Sequence, residues 1–291
     1  MSQVSVIIVT YNNEKTIEEC LRSIASDAAQ LKKEVIIIDN ASSDHTVRTI
    51  ENFEFDPGMK LIMIRNLENL GFTRGVNQGL AASSGDYLLI LNPDTLLQSN
   101  FFDTIIGFLS SHPEAGIAAP QHLSGDGKIL NSCREFPDHL SILFEVIGLS
   151  LVFRKNRLFN GWKMGYFDHE EYKEVDQPMG ACLMTRKKDM EKIGYLDERF
   201  FMFFSDVDLC KRYYLAGRKI FFLPEAKITH LMGHSINQKR KRMIISSHRA
   251  FYQYLKKYYP GPLWFIPNIF AMMLLAETAV LRVFYSFFTG K

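Results

Sequence analysis

The chain has 291 residues, of which 47% are apolar and 23% charged, with a formal charge of +2. That is enough apolar chain to bury one large domain or two modest ones, and it excludes disorder. A charge this close to neutrality argues against a nucleic-acid partner, and four widely spaced cysteines with no CxxC pair support neither a zinc ribbon nor a thiol redox motif.

Val4–Thr10 is a β-branched run ending in Tyr11-Asn12-Asn13, which predicts a buried strand and then a turn. Its apolar run is too short for a signal peptide and no basic segment precedes it, so it reads as the strand that begins the fold. Ile17, Cys20, Leu21 and Ile24 follow at helical spacing. Val35–Asp39 is a second buried strand, and Ser43 or Asp44 is placed to cap a helix from Thr46. Leu61–Ile64 is a third strand, Phe72–Ala82 a helix, and Tyr87–Leu91 a fourth strand stopped by Asn92-Pro93-Asp94. Asn100–Ser111 reads as a helix and Gly116–Pro120 as a short strand. Alternation of apolar strands with helices predicts an α/β fold with a mostly parallel sheet covered on both faces. Ligands bind such sheets beyond the carboxyl ends of the strands, and the polar residues Thr10, Tyr11, Asn12, Asp39, Asn92 and Asp94 gather there.

Residues 121–176 are irregular, with an apolar stretch at Leu140–Phe153. Lys187–Ile193 and Asp206–Ala216 read as helices, and Arg218–Leu223 as a strand. Lys241–Tyr258 is a basic, Tyr-rich helix, and Leu263–Phe288 is strongly apolar. Seven basic residues and no acidic ones lie between Asn237 and Tyr259, so the rest of the chain carries a net charge of −5.

There is no GxGxxG after the first strand and no P-loop, so any nucleotide phosphates need another counter-charge. Asn92 and Asp94 present two oxygen side chains two residues apart at a strand end. That suits a hard divalent cation whose other ligands come from phosphates; the tripeptide alone equally suits a capped turn. Asp39 is placed either to accept an N–H from a base or to close an Asx turn. Asp206 and Asp208 follow the aromatic run Phe200–Phe204; one of them is placed to cap a helix, and the aromatic wall predicts that a carboxylate near it is desolvated and suited to proton abstraction. His230 and His234 have the i, i+4 spacing of a shared metal site, but Gly233 speaks against a helix there, so at most one of them is read as a ligand, and ordinary loop histidines are the alternative.

The order of the segments adds more. VSVIIVTYNN, EVIIIDNASSDHT, NLGFTRGVNQGL, YLLILNPDT, PMGACLMTRK, FFMFFSDVDLCKR and THLMGHS together resemble glycosyltransferase family 2 proteins with a GT-A fold, over about residues 3–236. The Asn-Pro-Asp tripeptide is similar to that of the bacterial rhamnosyltransferase-like branch. The resemblance implies a GT-A catalytic domain over 1–236 and a helical extension over 237–291. It implies a nucleotide-sugar donor, dTDP- or UDP-linked, held by Thr10, Tyr11, Asn12, Asp39, Asn69, Gly71, Arg74, Asn77, Asn92 and Asp94. Arg74 departs from the small residue common at its position. A divalent cation, Mg²⁺ or Mn²⁺, would be held by Asp94 and His230 with Asn92. Asp176, Gly180, Ala181 and Ser205 would lie near the sugar or acceptor, and Ser205 replaces a frequent acidic residue. Asp206 would be the general base of an inverting displacement. The implied reaction is transfer of a sugar, best read as L-rhamnose, to a glycan or polyprenyl-linked acceptor in cell-surface polysaccharide synthesis. Other hexoses or galactofuranose, and a non-catalytic binding module, are the competing readings.

The basic helix beside an apolar one predicts contact with an anionic membrane surface through 240–288. Packing on the catalytic domain or in a homodimer is the alternative. Scattered thiols fit a reducing compartment, so the expected location is cytoplasmic, on the inner face of the cell membrane.

Overall fold

A computed structural model of the chain describes residues 3–29, 31–55, 58–231 and 240–289. His234 and the expected domain boundary at 236/237 lie outside them. The run Val4–Thr10 has no polar face to offer water, so it needs cover on both sides. It forms the central strand β1 (Gln3–Thr10), buried from Val4 onward. It is flanked in parallel by β2 (Lys32–Asp39) and β4 (Tyr87–Leu91), with β3 (Met59–Arg65) parallel outside β2. Between them run the helices α1 (Ile17–Ser26), α2 (Thr46–Glu51) and α3 (Phe72–Ala82). Asp44 rather than Ser43 meets the start of α2, accepting from the amide and hydroxyl of Thr46.

The second half of the sheet is mixed. After the short β5 (Thr95–Leu97) and α4 (Phe101–Ser111), the chain enters β6 (Ala115–Leu123). Three short helices, α5 (His139–Val146), α6 (Leu149–Val152) and α7 (Arg157–Asn160), lie within 121–176. The two-residue strands β7 (Cys133–Arg134), β8 (Lys173–Glu174) and β9 (Gln177–Pro178) accompany them. Then β10 (Cys182–Arg186) inserts antiparallel between β4 and β6. After α8 (Lys187–Ile193) and α9 (Ser205–Leu215), β11 (Lys219–His230) runs parallel to β6 and antiparallel to β5. The order is β3-β2-β1-β4-β10-β6-β11-β5.

Strand alternation divides the core. Val4, Val6 and Ile8 of β1 face α1 and α4, meeting Ile17, Leu21, Ile24, Phe101 and Phe102. Ile7 and Val9 face the other way, toward Val76 and Leu80 of α3 and the layer of α9.

The tail forms α10 (Arg240–Tyr258) and α11 (Phe265–Thr289). Both pack on the body: Ala250, Phe251, Tyr254 and Leu255 of α10 and Ala271 and Leu275 of α11 share an apolar cluster with Ile142, Phe200 and Val207. The span Pro262–Phe284 is nonetheless long and apolar enough to cross a membrane, with a mean hydropathy of 1.6 and little of it buried.

Candidate active site

The sequence predicts strands ending at Pro120 and at Leu223, each beside a proline. The structure carries both further, β6 to Leu123 and β11 to His230. Pro120 pairs with Leu223, and the register between the two strands shifts before Lys227 pairs with Gln121. A bulge tolerates proline where a regular ladder does not. Beyond it, His230 pairs with Thr95 of β5, and His122 with no sequence signal of its own sits opposite Ile228.

That extension brings His230 to Asp94. Their Nε2 and Oδ1 atoms are 3.4 Å apart, and the two residues are 7% and 8% exposed. The Leu231 amide donates to the Asp94 carbonyl at 2.9 Å, which fixes the pair through the main chain. On the other side the Asn92 amide donates to the Ala181 carbonyl at 2.8 Å. Next to Ala181, the Gly180 amide donates to Asp206 Oδ2 at 3.0 Å. The structure therefore joins Asp206, Gly180, Ala181, Asn92, Asp94 and His230 in one run of contacts.

Asp206 lies in the first turn of α9. Burial raises its carboxyl above the usual range, against hydrogen bonds from the Val207 and Gly180 amides. The expected aromatic wall is differently built. Phe201 lies against Gly71, while Phe204 turns to Phe251 and Tyr254 of α10, with ring centroids 4.8 and 5.6 Å away. Ser205 is fully buried and its hydroxyl donates to the Met202 carbonyl at 3.0 Å. Asp176 accepts from the Phe136 amide at 2.8 Å, and burial raises it too. It borders a cavity of about 640 Å³ with Glu135, Tyr166 and Lys173.

At the carboxyl ends of β1 and β2, on the same edge of the sheet, Asp39 accepts from Thr10 Oγ1 at 3.1 Å and from the Ser42 amide, three residues on, at 3.0 Å. Asn12, at φ 56°, accepts from the Ser43 amide at 2.8 Å. Tyr11 is half-buried next to it. Asn69 accepts from the Gly71 amide at 2.9 Å. Gly71 has φ 87°, and a β-carbon there would fall 2.6 Å from the Phe201 ring, so glycine is required twice over. Arg74 and Asn77 engage the loop before α9. Arg74 pairs with Glu198 at 3.1 Å, and Asn77 both donates to and accepts from the Leu196 backbone. The polar atoms expected at the donor thus hold the loop that leads to Asp206.

His122 is the residue the sequence did not single out. It is fully buried 5.8 Å from the His230 ring, and neither of its nitrogens has a partner among the described residues. Burial, with His230 and His169 nearby, pushes its pKa down to about 3, so it is neutral. His230 Nδ1 is likewise buried without a partner.

Asp94 Oδ1 and His230 Nε2 are a donor set that fits a divalent cation, and Asn92 adds a neutral oxygen. Among the described residues no three His, Cys, Asp or Glu side chains converge on one point. A cation held here would draw most of its ligands from phosphate and water.

The sequence model described as Glycosyl transferase family 2 matches residues 5–194. An N-acetylglucosaminyl-diphospho-decaprenol L-rhamnosyltransferase of Mycobacterium tuberculosis is 26% identical over 272 residues, covering 88% of this chain and 85% of the relative. A mannosyltransferase from Pyrobaculum calidifontis, solved with GDP-Man and Mn²⁺, superposes with a TM-score of 0.62 at 18% identity, over 100% of this chain and 76% of that one. TarS 1-349 of S. aureus with UDP gives 0.58 at 16% identity, over 94% and 70%. These two likenesses establish the GT-A fold.

Proposed function

The chain belongs to glycosyltransferase family 2, and on that footing we propose that it transfers a sugar from a nucleotide-linked donor to a hydroxyl group, with inversion and with a divalent cation. The run of contacts from Asp206 through Gly180 and Ala181 to Asn92, Asp94 and His230 carries this reading. It sets Asp206, a carboxylate of raised pKa, across from the Asp94–His230 pair, which suits a cation.

Asp206 Oδ1, the oxygen not held by Gly180, takes the proton of the acceptor hydroxyl. The hydroxyl oxygen bonds to the anomeric carbon as the bond to the diphosphate breaks, and the nucleoside diphosphate leaves as an anion. Asp94 and His230 hold the cation, which when bound neutralises that anion; complexes of two relatives by fold with Mn²⁺ support the choice. A glycosidase needs a second carboxylate to protonate its leaving group; a diphosphate does not.

L-rhamnose from dTDP-rhamnose is the donor best supported, because the rhamnosyltransferase relative matches along most of both chains. The acceptor is a polyprenyl-diphosphate-linked or glycan sugar, and the place of action is the inner face of the cell membrane. Exposed apolar residues of α11 and four unpaired thiols support that location. The test is a panel of dTDP- and UDP-sugars with Mg²⁺ or Mn²⁺ and a polyprenyl-diphospho-N-acetylglucosamine acceptor. Turnover of dTDP-rhamnose is expected. Turnover of a UDP-sugar alone would move the donor assignment, and release of nucleotide from none would leave a binding module.

A further inference from the structure

Lys257 belongs to the tail helix α10, yet its ammonium is spent inside the catalytic body. It pairs with Asp208 and, at 2.7 Å, with Asp197. Asp208 is fully buried and stands two residues after Asp206, in the same turn of α9. It also takes Arg212 Nε at 2.9 Å and the Tyr258 hydroxyl at 2.8 Å. Arg212 in turn donates to the carbonyls of Ile193, Gly194 and Tyr195, and Asp197 holds Arg199. One polar network therefore ties the tail helix to α9 and to the loop that precedes it.

The apolar contacts point the same way. Val207, the neighbour of Asp206, shares a cluster with Ala250, Phe251, Tyr254 and Leu255 of α10. Phe204, just before α9, is held at φ 67° against Phe251 and Tyr254. A non-glycine residue keeps such a backbone conformation only where its surroundings impose it. Without Lys257 the buried Asp208 keeps Arg212 but has lost a charged partner that helps offset its desolvation, so the carboxylate is under-compensated and its hydrogen bonds must rearrange. That rearrangement bears on the turn that carries Asp206 and its 3.0 Å bond from Gly180.

We propose that α10 is part of the active site, with Lys257 and Tyr258 as positioning residues that hold Asp206 through Asp208. This rests on Asp206 being the base. The tail is then a fixed wall of the catalytic centre, and Lys257 does not contribute to any lipid-binding charge.

The experiment compares full-length Lys257→Met, Lys257→Arg, Tyr258→Phe and Asp206→Asn by kcat, donor KM and thermal melting. Lys257→Met should lower kcat by about tenfold or more with donor KM nearly unchanged, as a misplaced base does. Lys257→Arg should restore much of the loss, since a longer cation still reaches both carboxylates, and Tyr258→Phe should lower kcat by a few-fold. Folded Lys257→Met and Tyr258→Phe proteins with wild-type kcat, beside an inactive Asp206→Asn, would overturn the proposal while sparing the base assignment. If Lys257→Met does not fold, Tyr258→Phe decides alone. An active Asp206→Asn protein would overturn both.

Discussion

Asp206 Oδ2 lies 3.0 Å from the Gly180 amide nitrogen, and a β-carbon at position 180 would fall 2.6 Å from that same oxygen. The carboxylate is thus seated against a glycine that leaves it just enough room. Gly180→Ala must push the carboxylate away or break the bond. A shift near 1 Å at a reacting group costs about 100-fold in rate. We expect kcat to fall by that order while nucleoside diphosphate affinity stays within a factor of two, measured by steady-state kinetics and calorimetry. An unaffected kcat would place the reacting group elsewhere.

The pH dependence follows from opposite shifts. Burial raises Asp206, so it is protonated and useless as a base at a pH where an ordinary aspartate is still ionised. Activity should fall as pH drops through that raised value. Asp176 is raised too, whereas Glu34 and Asp197 are depressed. At Glu34 burial opposes the charge, but hydrogen bonds from Ser5 and Ser84 prevail. Asp197 is held low by Arg199 and Lys257, again against burial. Depressed carboxylates stabilise the fold above their unfolded pKa and lose that contribution only as pH falls through the lower folded value. The acid limb of kcat/KM should therefore lie above the pH of acid unfolding followed by circular dichroism. Coincidence of the two curves would detach the limb from Asp206.

Much of this was legible in the residues. Phe72–Ala82, Tyr87–Leu91 and Lys187–Ile193 have the predicted bounds because hydrophobic period and flanking turn residues agree there. The strands through Pro120 and past Leu223 were not legible. Local signals treat proline as a stop, and a bulge that needs two strands together cannot be seen in either one. That same bulge hid His122 and left His230 outside its strand. Arg74 and Asn77 show a contact that local sequence does not reveal: the loop at Leu196–Glu198, remote in sequence, shares their hydrogen bonds. The charge of Lys257 was visible, but its buried partner 49 residues away was not.

The Asp94–His230 pair makes a prediction about cation affinity. With Asn92 neutral, Asp94 supplies the one anionic oxygen among the three ligands. Asp94→Asn should weaken Mn²⁺ binding in the presence of a nucleoside diphosphate by at least about tenfold, since loss of even a group behind the ligands costs that much. Asn92→Asp should strengthen it. His122→Phe removes the buried neighbour of His230 and should weaken Mn²⁺ binding less than Asp94→Asn does. Electron paramagnetic resonance of free Mn²⁺ reads all three. Equal affinity in wild type and Asp94→Asn would remove the tripeptide from the cation site.

The outer face of α11 tests membrane contact. Asn268, Ala271, Leu275 and Thr278 turn toward the body, so the helix lies along the protein on that side. Phe265, Ile266, Phe270, Met273, Val280 and Leu281 are each more than half exposed. Beside α11, α5 leaves Leu140 exposed, and Leu151 and Val152 of α6 add to the apolar surface. Arg154, Lys155, Arg242, Arg249 and Lys256 are exposed as well. A helix with one face on the protein and the other apolar suits the plane of a bilayer surface better than a crossing, and nearby cations favour anionic lipid by about 1 kcal/mol each. Removing residues 240–291 is a poor test, because α10 would go with them and leave the buried Asp208 without Lys257 and Tyr258, though still held by Arg212. Phe270→Glu with Met273→Glu changes only the outer face. Flotation with phosphatidylglycerol vesicles should show the wild-type chain bound and the double variant largely released, with binding weakened by salt. Equal flotation would exclude α11 as the contact. A wild-type dimer in vesicle-free buffer that the same double variant dissolves would assign the face to a second copy of the chain instead.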